Sequence, residues 1–177
     1  MKIASAMRPC GAWCMLAAVL SPALAESAGP AHPVKLAIFD CELEDFSAGA
    51  SVTKGSPADT AQLERVTGEI RRLIVASGRY SLIDTSAAGA EAAKAHQLRT
   101  CGGCEAGIAL KLGAEQSLIA VVTRVSRADY TVAFQIRDAK TGAIVANKQS
   151  GLRMGADYSW SRGAAALIKE HLLNQGD

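Results

Sequence analysis

Several short apolar segments, each about as long as a β-strand, occur along the chain and predict a sheet. Compact apolar segments occur at 34–39, 80–83 and 118–122, and large apolar residues alternate with small or polar ones over 130–137. The continuous, β-branched run at 118–122 predicts a strand buried on both faces. The alternation at 130–137 predicts a strand with one wet face.

The alternating segment leads into a turn that predicts a hairpin. Segment 138–142 (DAKTG) ends in a glycine and is followed by another strand candidate at 143–148. A short glycine-containing connection between two such segments is typical of an antiparallel pair.

Apolar residues at three- and four-residue spacing predict the helices. Ser56 and Pro57 are suited to a helix start and Gly78 to its end. The apolar stripe between them consists of Leu63, Val66, Ile70, Leu73 and Ile74. Segments 86–97 and 105–112 predict two shorter helices. A final helix is predicted from the stripe of Trp160, Ala164, Leu167, Ile168 and Leu172.

The elements follow one another in the order β-α-β-α-α-β-β-β-α. We therefore expect an α/β fold with a single-layer mixed sheet, helices mainly on one face, and part of the other face wet. The length of 177 residues fits one such domain.

The first 25 residues predict a secretory signal peptide. Lys2 and Arg8 precede an apolar stretch at 11–20, and Ala23-Leu24-Ala25 forms a small-x-small cleavage site. A retained transmembrane anchor is the weaker alternative, because the stretch is shorter than the ~20 residues that span a bilayer. We expect cleavage after Ala25, a single domain over 26–177, and a periplasmic or secreted protein.

Removal of the leader changes the charge of the chain. The formal charge is +2, from 19 Lys and Arg against 17 Asp and Glu, and the leader holds two of the basic and none of the acidic residues. The remaining chain is formally neutral. Neutrality argues against a nucleic-acid partner and against electrostatic capture by an anionic membrane.

The chain resembles known envelope proteins in two ways. Segment 112–114 (LGA) before an apolar strand, then the alternating strand and 138–142, resembles the amino-terminal domain of TolB and the core of curli-secretion (CsgG-like) lipoproteins. Segments 34–45, 101–104 and 158–173 are similar to an uncharacterised secreted proteobacterial family, a domain of unknown function. The first resemblance implies a TolB-like fold and a role in protein interaction or in oligomeric envelope assemblies.

Three cysteines remain after the leader, and Cys101-x-x-Cys104 is the sharpest local motif. In an exported protein a structural disulfide is the favoured interpretation. Cys101–Cys104 is the local pair, and a bridge from Cys41 to either is the alternative. Metal binding, redox exchange and unpaired thiols are the other interpretations. No proline follows Pro57 to supply the cis-proline loop that thioredoxin-type enzymes need.

Four carboxylates crowd the end of the first predicted strand: Asp40, Glu42, Glu44 and Asp45. Carboxylates of this density can hold a hard cation such as calcium. A solvated strand end on the wet face is the favoured interpretation, since charge clusters are usually exposed.

Tyr158 and Arg162 are candidates for partner contact, because aromatic and arginine side chains dominate interface hot spots. Trp160 continues the apolar stripe of its helix and is expected in the core. Arg162 lies off that stripe, so packing does not account for it.

No common catalytic or phosphate-binding motif occurs in the chain. We therefore expect a non-enzymatic binding or assembly module of the cell envelope, without a cofactor or metal, whose partner is an envelope or periplasmic protein. The alternative is an accessory redox or metal-handling protein that uses Cys101 and Cys104. The sequence does not specify an oligomeric state.

Overall fold

Seven strands form one mixed sheet in the computed structural model, which describes residues 32–50, 56–86, 97–155 and 159–174. The strands are β1 Val34–Ile38, β2 Glu42–Asp45, β3 Tyr80–Ile83, β4 Gln116–Arg124, β5 Asp129–Asp138, β6 Ile144–Gln149 and β7 Arg153–Met154. Their order is β3-β1-β4-β5-β6, with β2 also pairing β4 and β7 also pairing β5. The pairs of β1 and β2 are parallel, and those of β5 are antiparallel.

Helices cover the two faces of the sheet unequally. The helices are α1 Pro57–Ala76, α2 Cys104–Lys111 and α3 Trp160–Ile168, which continues into a π-helical turn at Lys169–Leu173. α1 and α3 contribute to the main core, whereas α2 and the 3₁₀ turn Leu98–Thr100 pack in a smaller cluster with the opposite side of β1. This confirms the predicted single mixed sheet with helices mainly on one face. Across the described ranges, no helix is both long and apolar enough to span a bilayer.

The boundaries of α1 follow the predicted signals. The Ser56 hydroxyl accepts a hydrogen bond from the Asp59 amide at 3.1 Å, and Pro57 occupies the first helical position. Gly78 has a φ of +67° just after the helix, a conformation that side chains disfavour. A side-chain cap and a glycine stop therefore define this helix.

The alternation of β5 produces the main core. Tyr130, Val132, Phe134 and Ile136 are buried against α1 and α3, while the residues between them are half-buried. The stripe of the final helix is buried as predicted, from Trp160 to Leu172. Both periodic segments therefore supply facing layers of one hydrophobic core.

Two strands were not predicted, and the burial prediction for β4 was wrong. β2 forms where the sequence predicted a solvated acidic strand end, and β7 is two residues long. β4 is buried on its α1/α3 side, but Ile119 and Val121 on the other side are half-buried because α2 covers only part of that face. The predicted leader and nearly all of the predicted helix at 86–97 lie outside the described residues.

Candidate functional site

The three cysteines have two different environments. Cys101 and Cys104 form a disulfide with an S–S distance of 2.01 Å at the start of α2. Cys41 is buried, and burial raises the pKa of its thiol to about 12. A thiol with that pKa is protonated at neutral pH and a poor nucleophile. Of the cysteines that the structure describes, Cys101 and Cys104 thus form the local pair and Cys41 is unpaired.

The ion pair between Glu105 and Arg137 lies beside the disulfide. Glu105 is fully buried, and its carboxylate accepts a hydrogen bond from Arg137 Nε at 2.8 Å. Arg137 also donates to the Gly142 carbonyl at 2.9 Å, which connects α2 to the β5–β6 turn. The donor atoms of Cys101, Cys104 and Glu105 lie within 4.8 Å of one another. In this oxidised state both sulfurs are bonded and the Glu105 charge is balanced by Arg137.

The four carboxylates of the acidic cluster form ion pairs with three arginines. Arg71 contacts Asp40 at 3.2 Å, and Arg124 contacts Asp45 at 3.0 Å. Arg99 contacts Glu42 at 2.8 Å and Glu44 at 4.0 Å. Each of these carboxylates therefore already has a cationic neighbour.

Exposure within the acidic cluster differs from the prediction. The Asp40 side chain is 88% exposed, but that of Asp45 is only 8% exposed. Glu42 also accepts a hydrogen bond from the Leu98 amide at 2.6 Å. The prediction of a solvated cluster was wrong for Asp45 and Glu42, because the strand pairing of β2 brings them beside arginines.

Arg124 lies in a buried polar cluster at the end of β4. Its guanidinium contacts Asp45 and Asp59 and stacks over the Trp160 ring, 4.9 Å from the centroid. Trp160 is buried, as its position on the helical stripe predicted. This cluster joins β2, β4, α1 and α3, so its role is structural.

Arg162 borders an open groove between β7 and the start of α3. The groove has a volume of about 400 Å³. It is lined by Tyr130, Leu152, Arg153, Met154, Ser159, Arg162 and Gly163. Arg162 is the residue for which the sequence predicts a partner contact, and it lines this groove, whereas Arg153 and Met154 were not predicted. Tyr158, the other predicted contact residue, lies outside the described part of the chain.

The floor of the groove is held by hydrogen bonds. Ser159 Oγ donates to the Tyr130 hydroxyl, which donates to the Ser159 carbonyl, both at 3.1 Å. A Cβ on Gly163 would lie 3.0 Å from the Tyr130 hydroxyl. The absence of a side chain at Gly163 therefore lets α3 approach β5 closely.

Large apolar side chains are exposed beside the groove, at one end of the sheet. Phe46, Val125 and Met154 are 67%, 47% and 83% exposed. The Phe46 amide donates to the Arg124 carbonyl, and the Val125 amide to the Asp129 carbonyl, each at 2.9 Å. Asp129 is paired with Met154 in the β5–β7 ladder. These three residues therefore lie on neighbouring segments, and we refer to them as the sheet-end patch.

A single open mixed sheet with its main helical layer on one face defines a class of α/β domain that other solved structures share. The carboxyl-terminal domain of LpoB from Salmonella enterica matches with a TM-score of 0.50 at 18% identity, covering 72% of this chain and 87% of that one. The LpoB domain from Escherichia coli gives a TM-score of 0.48 at 17% identity over 68% and 83% of the two chains. TolB from Acinetobacter baumannii gives a TM-score of 0.41 at 12% identity over 80% and 29%.

The chain belongs to the DUF3280 family, whose model matches residues 34–172 and is described as "Protein of unknown function (DUF2380)". Among curated proteins, none matches the sequence. The predicted membership of a domain-of-unknown-function family is thus confirmed. The resemblance to curli-secretion proteins stays a prediction.

Proposed function

We propose that the protein is an exported, non-enzymatic binding module of the cell envelope that docks a protein partner on the sheet-end patch. Residues 1–25 direct export and are removed, and 26–177 form the working domain. The partner is an envelope or periplasmic protein. The strongest support is the exposure of Phe46, Val125 and Met154 on adjoining segments.

Apolar exposure of this kind distinguishes an interaction surface from ordinary surface residues. Single exposed apolar side chains are normal, but contiguous ones typically mark contact sites for proteins. Methionine and phenylalanine are also enriched at interfaces, where their side chains fill pockets of the partner. Leu152, two residues before Met154 in the chain, is exposed as well and extends the apolar surface.

The candidate reactive groups have other roles in the fold. The sulfurs of Cys101 and Cys104 are bonded to each other, and the acidic cluster is paired with arginines. The buried Cys41 thiol has a raised pKa of about 12. These observations favour a binding role over the redox or metal-handling alternative.

Site-specific photocrosslinking in cells that produce the protein tests the proposal. A photoreactive amino acid replaces Met154 in one variant and Leu110 in a matched control, because Leu110 is also exposed but belongs to α2. We expect a crosslinked product of discrete mass from position 154 and none from position 110. Mass spectrometry then identifies the crosslinked protein.

Binding must also be reproduced with purified components. The identified partner should bind the purified domain, and Met154→Ser should weaken the binding at least tenfold while Leu110→Ser leaves it unchanged. Equal crosslinking from both positions, or unaltered affinity of Met154→Ser, would refute docking at the sheet-end patch.

A further inference from the structure

We propose that the groove between β7 and α3 receives a carboxylate side chain from an acidic segment of the protein partner. The inference rests on the proposed binding function and specifies the chemistry of the bound segment. Arg153 is the principal ligand, and Arg162 adds positive charge on the opposite wall.

Arg153 combines a buried, unpartnered Nε with the absence of a carboxylate partner among the described residues. The Nε of Arg99 is also unpartnered, but Arg99 contacts Glu42 and Glu44. A buried charged donor without an acceptor is unfavourable, and an incoming carboxylate would remove that cost. Arg79 donates to the Leu172 carbonyl instead. Five arginines elsewhere in the described chain have carboxylate partners, namely Arg71, Arg72, Arg99, Arg124 and Arg137.

The groove is shaped to keep Arg153 in place. Arg153 lies opposite Tyr130 in the β5–β7 ladder, and its Cδ is 3.5 Å from the position that a Cβ on Gly163 would take. The hydrogen-bonded pair of Tyr130 and Ser159 forms a fixed floor. A guanidinium held in this way loses little conformational entropy when it forms a bidentate pair with a carboxylate.

The rim of the groove favours a ligand that has apolar groups as well as a negative charge. Leu152 and Met154 line it, and both are largely exposed. Met154 also belongs to the sheet-end patch, so groove and patch form one continuous surface. A peptide with an acidic residue next to apolar residues complements this surface. A free phosphate or a nucleic-acid backbone lacks the apolar part.

Selection from a library of random displayed peptides on the purified domain tests this chemistry directly. We expect the enriched peptides to contain Asp or Glu beside a large apolar residue. A synthetic copy of one such peptide should lose at least tenfold in affinity when its acid is replaced by the corresponding amide. The affinity should also fall with rising salt.

Variants locate the binding to the groove. Arg153→Met keeps an unbranched apolar stem without the charge, and should lower the affinity of the acidic peptide at least tenfold. Arg127→Gln is the matched control, because Arg127 is exposed on the β4–β5 connection and is not among the groove residues, and should have no effect. The amide peptide tests the inference on the unaltered protein even if Arg153→Met does not fold.

Three outcomes would overturn the inference: no enrichment of acidic peptides, equal binding of the amide peptide, or unchanged affinity of Arg153→Met. Tighter Arg153-dependent binding of inorganic phosphate, single-stranded DNA or anionic vesicles than of the peptide would also overturn it. Crosslinking from Met154 that persists in any of these cases would leave the proposed function standing, so the two failures are distinguishable.

Discussion

Arg124 shows how single charged residues organise this domain. Its guanidinium lies between Asp45 of β2 and Asp59 of α1 and over the ring of Trp160 in α3. All of these side chains are buried or nearly so. Removing one member of a buried ion cluster leaves the opposite charges without compensation, which costs far more than the pair itself contributes.

We therefore expect Arg124→Gln to lower the free energy of unfolding by about 3–5 kcal/mol. Urea denaturation followed by circular dichroism measures this change. Arg127→Gln, at an exposed arginine three residues away, should change stability by less than about 0.5 kcal/mol. Equal effects of the two variants would show that the buried cluster has no special role.

Asp45 should make the stability of the domain depend on pH in the acidic range. Burial alone would raise the pKa of its carboxyl, but hydrogen bonds from Ser47 and the charge and hydrogen bond of Arg124 outweigh it, so the pKa is lowered. A lowered folded-state pKa adds stability above the unfolded-state pKa, and this is lost as the pH falls through the folded value. The difference in unfolding free energy between wild type and Asp45→Asn should therefore shrink below about pH 4. A constant difference from neutral pH to about pH 3 would contradict this.

The packing of α3 on β5 depends on the absence of a side chain. A Cβ on Gly163 would approach the Tyr130 hydroxyl at 3.0 Å and its ring at 3.1 Å. Gly163→Ala should lower the unfolding free energy by about 1–3 kcal/mol, because helix and strand must separate. Gly68→Ala is the matched control in α1, where a Cβ meets nothing within 4 Å. It should stabilise by up to about 1 kcal/mol, since alanine is the better helix former.

The disulfide ties the 3₁₀ turn to the start of α2. In the processed protein, alkylation under denaturing conditions should label one thiol without reductant and three after reduction. Labelling of three thiols without reductant would contradict the bond. Replacing both Cys101 and Cys104 by serine should cost about 2 kcal/mol for such a short loop, without abolishing partner binding. Cys41→Ala should leave no thiol to label before reduction.

Predictions at the scale of elements succeeded for apolar runs and for long periodic segments, and they failed for β2 and β7, which have neither pattern. The stripe of α1 and the alternation of β5 each extend over many residues, so their burial could be inferred. β2 is rich in Glu and Asp, which are depleted in strands, and its stability comes from pairing with β4 and from arginines that are distant in sequence. β7 has two residues, too few for any period.

The shortness of β7 also limited the prediction of the groove. Arg162 could be suggested as a partner contact because it departs from a clear helical stripe. Arg153 and Met154 lie in a segment bracketed by Gly151 and Gly155, and only pairing with β5 gives them a defined position. An arginine between two large apolar residues within such a glycine-bounded segment was the available signal.

The domain as a whole is expected to begin after the leader. The intact mass of the protein recovered from the periplasm should correspond to a chain that starts at Glu26, because the small residues at Ala23 and Ala25 fit signal peptidase. Replacing Ala25 by a bulky residue should yield the longer precursor instead. A mature mass that includes residues 1–25 would refute the proposed processing.

The interior position of β1, between two strands that follow it in the chain, determines the order in which the sheet can form. β1 is flanked by β3 and β4, and its register with β4 joins Leu36 to Gln116. The ladder from β4 to β6 is formed by local hairpins, which close quickly, whereas a parallel pair of distant strands closes slowly. Synthesis proceeds from the amino terminus. The edge of β1 that pairs with β4 therefore remains unpaired until β4 has been made. The main core closes only when α3, the last helix that the structure describes, has been made, so the elements that precede it remain accessible to chaperones until then.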